Sequence, residues 1–167
     1  MPPIDRSELS RAARTAGQAV ADDTAPKPGR LWAEVLAKVP LFVGVSARHV
    51  RKIAALGSAV SFNAKTRIVS AGDPGDAFYV LLVGRAEVQR GRGRPKVEIG
   101  PGAYFGEMAL LDGVPRSATV VAKSETICLM LDRKRFEKVL KDEPAVAYAL
   151  LRTLAARLRE LDASAAD

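Results

Sequence analysis

The chain predicts a mainly β fold with flanking helices, an α+β arrangement built around one sandwich or barrel. Three observations predict it. From Gly57 to Leu131 short apolar segments alternate with breaks at Gly72, Pro74, Gly75, Gly84, Gly91, Gly100, Pro101 and Gly102, the pattern of strands joined by turns. On either side of that region apolar residues recur at helical spacing. The length, 167 residues with 48% hydrophobic and 27% charged, is that of one globular domain with a real core.

Residues 1–30 read as a flexible N-terminal extension, punctuated at its end by Pro26, Pro28 and Gly29. Within it Ser7–Val20 is alanine-rich and carries Arg11 and Arg14, but Ile4, Leu9 and Val20 make no apolar stripe. A disordered tail is the reading there, with a partner-docking helix or an arginine-rich targeting segment as alternatives. Residues 31–167 form the folded domain. Leu31, Val35, Leu36 and Val39 share a helical face until Pro40 ends the helix. Ser46 is placed to cap a second helix running to Leu56, with Val50, Ile53 and Leu56 inward and His49 at the boundary.

Strands are expected at Ala59–Phe62, Thr66–Ser70, Ala77–Val83, Ala86–Arg90, Lys96–Ile99, Ala118–Ala122 and Thr126–Leu131, interrupted by a helical turn at Gly106–Leu111. Asp132 caps a helix over Arg133–Lys141 whose apolar side is Phe136, Val139 and Leu140. Pro144 suits the first turn of a last helix reaching Leu161, with Leu150, Leu151, Leu154, Leu158 and Leu161 expected inward on the barrel or on a second copy of the chain.

Composition removes several classes of function. No apolar run approaches a membrane span and the N-terminus has no apolar signal core, so a cytoplasmic location is expected. The single cysteine, Cys128, sits in an apolar strand and reads as a core residue. The single histidine, His49, has neither a second histidine nor a cysteine for a metal site, nor a serine–acid arrangement for nucleophilic catalysis. No metal, no cofactor and no enzymatic activity are therefore expected. The formal charge is +7, from 26 Lys+Arg against 19 Asp+Glu, with a cluster at Arg90–Lys96 that reads as a hairpin tip. That balance leaves a basic nucleic-acid or membrane-surface interaction protein as the alternative function.

The segment Phe105–Val120, FGEMALLDGVPRSATV, carries the most chemistry. A helix beginning near Gly106 leaves the first-turn amides of Gly106, Glu107, Met108 and Ala109 without partners, and partial positive charge gathers there. Arg116 follows Glu107 by nine residues and offers a planar fork of donors suited to a phosphate, if Leu111–Val114 turns the chain back. Ser117 adds a hydroxyl. Glu107 is acceptor-only and would repel a phosphate, so it makes sense reaching past it to a sugar hydroxyl. A direct Glu107–Arg116 ion pair is the competing reading.

This segment resembles the phosphate-binding cassette of cyclic nucleotide-binding domains, the family of bacterial catabolite activator proteins, protein kinase A regulatory subunits and cyclic-nucleotide-gated channels. The likeness extends to Ala71-Gly72-Asp73-Pro74-Gly75-Asp76 with the following AFYVLLVGRAEV, and to TICLMLDRKRFEKVL downstream, covering about Leu31 to Leu161. The resemblance implies a jelly-roll β-roll. It implies phosphate contacts from Gly106, Met108, Ala109, Arg116 and Ser117, and a ribose contact from Glu107. Val88, Val97 and Ile99 would line the base, and Arg157, Leu158 and Leu161 would cap it. The ligand implied is cAMP, mildly favoured by Ser117, or cGMP. The expected role is a stand-alone receptor that signals to a separate protein effector by movement of its C-terminal helices, with a homodimer through the last helix compatible with its leucines. Only Asp162–Asp167 follow that helix, so no helix-turn-helix for DNA is expected.

Overall fold

A computed structural model describes residues 30–165; the extension at residues 1–29, with its candidate helix Ser7–Val20, lies outside the described residues. The order is α1 (Arg30–Leu36), a 3₁₀ turn (Pro40–Phe42), α2 (Ala47–Leu56), β1 (Ser58–Phe62), β2 (Arg67–Val69), β3 (Ala77–Val83), β4 (Ala86–Gln89), β5 (Val97–Ile99) and β6 (Tyr104–Phe105). Then follow α3 (Glu107–Asp112), β7 (Thr119–Ala122), β8 (Thr126–Asp132), α4 (Arg133–Asp142) and α5 (Pro144–Ala165). The first helix stops at Leu36 rather than Val39, because Pro40 cannot donate back to it and holds Val39 extended (φ −73°, ψ 129°). Ser46 accepts from the amide of His49 and Asp132 from that of Arg135, the two expected caps.

The strands make two antiparallel four-stranded sheets, ordered β1-β8-β3-β6 and β2-β7-β4-β5. In β3 every residue but Val83 is buried, because both faces of its sheet are covered. Phe78, Val80 and Leu82 face the helices, while Ala77, Tyr79 and Leu81 face the other sheet. β8 alternates the same way, Ile127, Leu129 and Leu131 against Cys128. Burial pushes the Cys128 thiol up to about 12, as suits a core residue.

One core therefore lies between the first sheet and helices α1, α2, α4 and α5, and a second lies inside the roll. The short strand β6 was not expected, since two residues after Gly100-Pro101-Gly102 are too few to show alternation. The last helix departs further from expectation. Val146 and Leu150 are buried and Leu154 packs against the helix-side core, whereas Leu151, Leu158 and Leu161 are exposed. Beyond Leu154 the leucines of α5 are more than half exposed.

Candidate functional site

The site grows from two turns that dock on each other. The Arg116 amide donates to the Asp73 carbonyl and the Gly72 amide donates back to the Arg116 carbonyl, both at 2.9 Å. The chain reaches that point through Gly113 (φ +72°) and an Asp112 carboxylate that accepts from the Val114 amide at 2.9 Å. These bonds fix the backbone beneath the Arg116 guanidinium, whose side chain is 5% exposed. Its Nη2 donates to the Ala77 carbonyl at 3.0 Å and to Asp76 Oδ1 at 3.2 Å, and its Cζ stands 5.8 Å from the Tyr79 ring centroid. Asp76 is almost fully exposed, so this ion pair is weak in itself. Arg116 Nη1 is buried and has no hydrogen-bond partner among the described residues.

Gly106 permits that arrangement. It sits at φ +92°, where glycine alone is unstrained, and a Cβ there would lie 2.7 Å from the Ala77 carbonyl and 2.8 Å from Arg116 Nη1. Gly75 permits the docking of α3: a Cβ on it would collide with that of Ala109. Arg133, the first residue of α4, ties the same elements together by donating to the carbonyls of Leu110 (3.0 Å) and Gly75 (2.7 Å).

Glu107 opens α3 and is buried. Its Oε1 accepts from Arg157 Nη1 at 2.6 Å, across from α5. The competing Glu107–Arg116 pair does not form: each of the two has a different counter-charge. A cleft of about 130 Å³ brings together Gly106, Glu107, Met108, Ala109, Arg116 and Ser117. Its apolar wall comes from Val69, Val88, Ile99, Ala118 and Val120, and Arg157 joins its rim.

Three expected residues fall outside this cleft. Val97 pairs with Val88 in register but is 40% exposed at the open edge of the sheet. Leu158 and Leu161 lie on the solvent side of α5, at 60% and 53% exposure, and do not line the cleft. Arg157, expected as a base cap, lines the cleft and donates to Glu107. Sequence reasoning missed Val69, Val120 and Arg90 as lining residues. Two-residue alternation from Val88 points to Arg90, and that signal was available.

Among the described residues no group of three His, Cys, Asp or Glu side chains could hold a metal ion, and no helix is long and apolar enough to cross a membrane.

A two-sheet roll carrying a phosphate-sized cleft, with a buried guanidinium and a buried carboxylate at a glycine-led helix start, defines a small-anion receptor domain. The family model described as "cyclic nucleotide-binding domain" matches residues 59–143, just over half of the chain. The chain belongs to the cyclic nucleotide-binding domain family. A cAMP-dependent protein kinase regulatory subunit of Aspergillus niger is 38% identical over 119 residues, 71% of this chain and 29% of that protein. The chain thus spans less than a third of that relative. The catabolite activator protein of Thermus thermophilus superimposes with a TM-score of 0.70 at 33% identity, over 75% of this chain and 61% of that one. The regulatory domain of Toxoplasma gondii protein kinase A, solved with cAMP, gives a TM-score of 0.67 at 30% identity, over 84% and 54%. The jelly-roll fold is that of these neighbours.

Proposed function

We propose that this chain is a receptor for a cyclic nucleotide, with cAMP the favoured ligand, whose occupancy is transmitted through its C-terminal helices to a separate protein. The observation that carries the reading is the buried Arg116 Nη1 without a partner beside Gly106. A desolvated donor left open is costly unless a ligand completes it. A cyclic phosphate supplies the acceptor, and α3 amides stand at the same cleft. Glu107, its charge balanced by Arg157, accepts from the ribose hydroxyl, and the wall of Val69, Val88, Ile99 and Val120 receives the base.

Transmission follows from the same contacts. Arg133 links α3 to the start of α4, and Arg157 links Glu107 to α5. A ligand that alters either contact biases the helices, which is what coupling between sites requires. The exposed residues Tyr148, Leu151, Leu158 and Leu161 on α5 offer an apolar surface for the output partner, whether an effector protein or a second copy. No residue in the cleft is given a role in breaking a bond, and the proposed activity is binding and regulation rather than catalysis. Isothermal titration of the purified chain with cAMP and with cGMP tests the reading. Saturable binding of either at one site is expected, and binding of neither overturns it.

A further inference from the structure

Three arginines line the cleft: Arg90, Arg116 and Arg157. Arg116 is fixed by Asp76 and Ala77, and Arg157 by Glu107. Arg90 follows β4 directly and lies two residues beyond Val88, so by strand alternation it continues the inward face of Ala86 and Val88. It is exposed and has no ion-pair or hydrogen-bond partner among the described residues. The carboxylates near it are engaged elsewhere. Glu87, on the outer face of β4, holds Gln89, Lys96 and Lys123, and Glu98 holds Arg85. The Arg90 guanidinium is therefore a donor fork at an otherwise apolar wall, on the β4 side of the cleft rather than on the segment that carries Arg116.

We infer that Arg90 reads the edge of the bound base and adds a guanine-directed contact to a site that also takes adenine. The inference rests on the receptor reading above. A guanidinium only donates. Guanine presents two adjacent acceptors on one edge, O6 and N7, which match the fork; adenine presents N7 beside an amino donor, which the fork opposes. The cyclic phosphate and ribose are common to both nucleotides, and Arg90 at the wall adds a contact that only the purine edge decides. The chain then binds cGMP as well as cAMP, and Arg90 sets the ratio of the two affinities.

The test is calorimetric titration of the wild type, Arg90→Ala and Arg90→Lys with cAMP and with cGMP. Arg90 packs in no core, so both variants should fold, and a thermal melt checks this. Arg90→Ala should lose ~10-fold in cGMP affinity, within the range of a bidentate guanine contact. Its cAMP affinity should change less than about threefold. Arg90→Lys keeps the charge and loses the fork, so its cGMP affinity should stay near that of the alanine variant. A parallel loss of both ligands in Arg90→Ala, restored in Arg90→Lys, would mean general attraction of the phosphate and would overturn the inference. Unchanged affinities would overturn it too. A wild type that binds either nucleotide while its ratio ignores position 90 sinks this inference alone; one that binds neither sinks the receptor reading with it.

Discussion

Replacing Arg116 by leucine separates the cost to the ligand from the cost to the fold. In the protein itself the guanidinium makes one buried bond, to the Ala77 carbonyl, and one to Asp76, which is exposed and regains water when released. Losing the first costs about 1 kcal/mol, and leucine fills much of the space beside Tyr79. The melting temperature should fall by a few degrees. To a bound phosphate the same loss is larger, because the anion would sit desolvated beside Gly106 without the buried guanidinium that stands there. Removing one member of a buried charge pair costs roughly 3–5 kcal/mol. That converts to about two to four decades in dissociation constant. Titration calorimetry of wild type and variant reads the affinity, and a thermal melt reads the fold. A folded Arg116→Leu that binds cyclic nucleotide as tightly as the wild type would refute the argument, because Arg116 Nη1 is the buried, unpaired side-chain donor that stands beside Gly106.

Glu107→Ala should weaken binding by less than Arg116→Leu, about tenfold, and a 2′-deoxy ligand should lose little further affinity in that variant; a full additional loss would assign Glu107 another role. Gly106→Ala should both destabilise the fold, by roughly 1–2 kcal/mol for a forced positive φ, and weaken binding, since its Cβ would displace the Arg116 guanidinium; calorimetry and a melt report the two. Arg157→Ala should leave binding within about tenfold, because the Arg157 end of its pair with buried Glu107 is 40% exposed and water can take its place, yet remove the ligand-dependent hydrogen-exchange protection of α5. The thiol of Cys128 should resist alkylation at pH 8 in the native state and react on unfolding. Because folding raises its pKa to about 12, the stabilising contribution is whole below the unfolded thiol range and is lost as pH rises towards 12, so the melting temperature should fall through that window.

The fold was legible where one physical signal acted alone. Ala77–Val83 and the caps Ser46 and Asp132 follow from a buried apolar run and from side-chain oxygens placed to satisfy orphan amides. Signals failed where packing decided. The leucines of α5 repeat at helical spacing all along it, but Leu150 is buried with Val146 and Leu154 is partly buried in the helix-side core, while Leu151, Leu158 and Leu161 are exposed. Composition cannot say how far a helix outruns what it packs on. That glycine, glutamate and arginine share one cleft was legible, since they lie close in sequence and the chain turns back between them. The counter-charges were not legible. Asp76 pairs with Arg116 across a gap of 40 positions and Arg157 with Glu107 across 50. Many arginines and carboxylates could have made those pairs, and only the docking of α5 and of the 71–76 turn selects among them.

Those two distant pairs bear on how occupancy would become a signal. Asp76 lies on the turn that anchors the roll, and its pair with Arg116 connects parts of the fold already joined by backbone bonds. A ligand can strengthen that contact but has little there to move. Arg157 differs, because its helix is anchored in the helix-side core by residues up to Leu154, and beyond them the described side chains are exposed or half-buried. Its bond to Glu107 ties the outer half of α5 directly to the cleft. A ribose hydroxyl that donates to Glu107 shares the carboxylate with Arg157, and a phosphate nearby adds attraction for the same guanidinium. Both effects act on one side chain at the end of a weakly held helix. On the proposed receptor reading, the differential free energy that a two-state switch needs would therefore be concentrated at Glu107–Arg157. Hydrogen exchange should accordingly place the ligand response in the α5 segment after Leu154 rather than in β3 or β8. Equal exchange of that segment with and without saturating nucleotide would remove α5 from the signalling path.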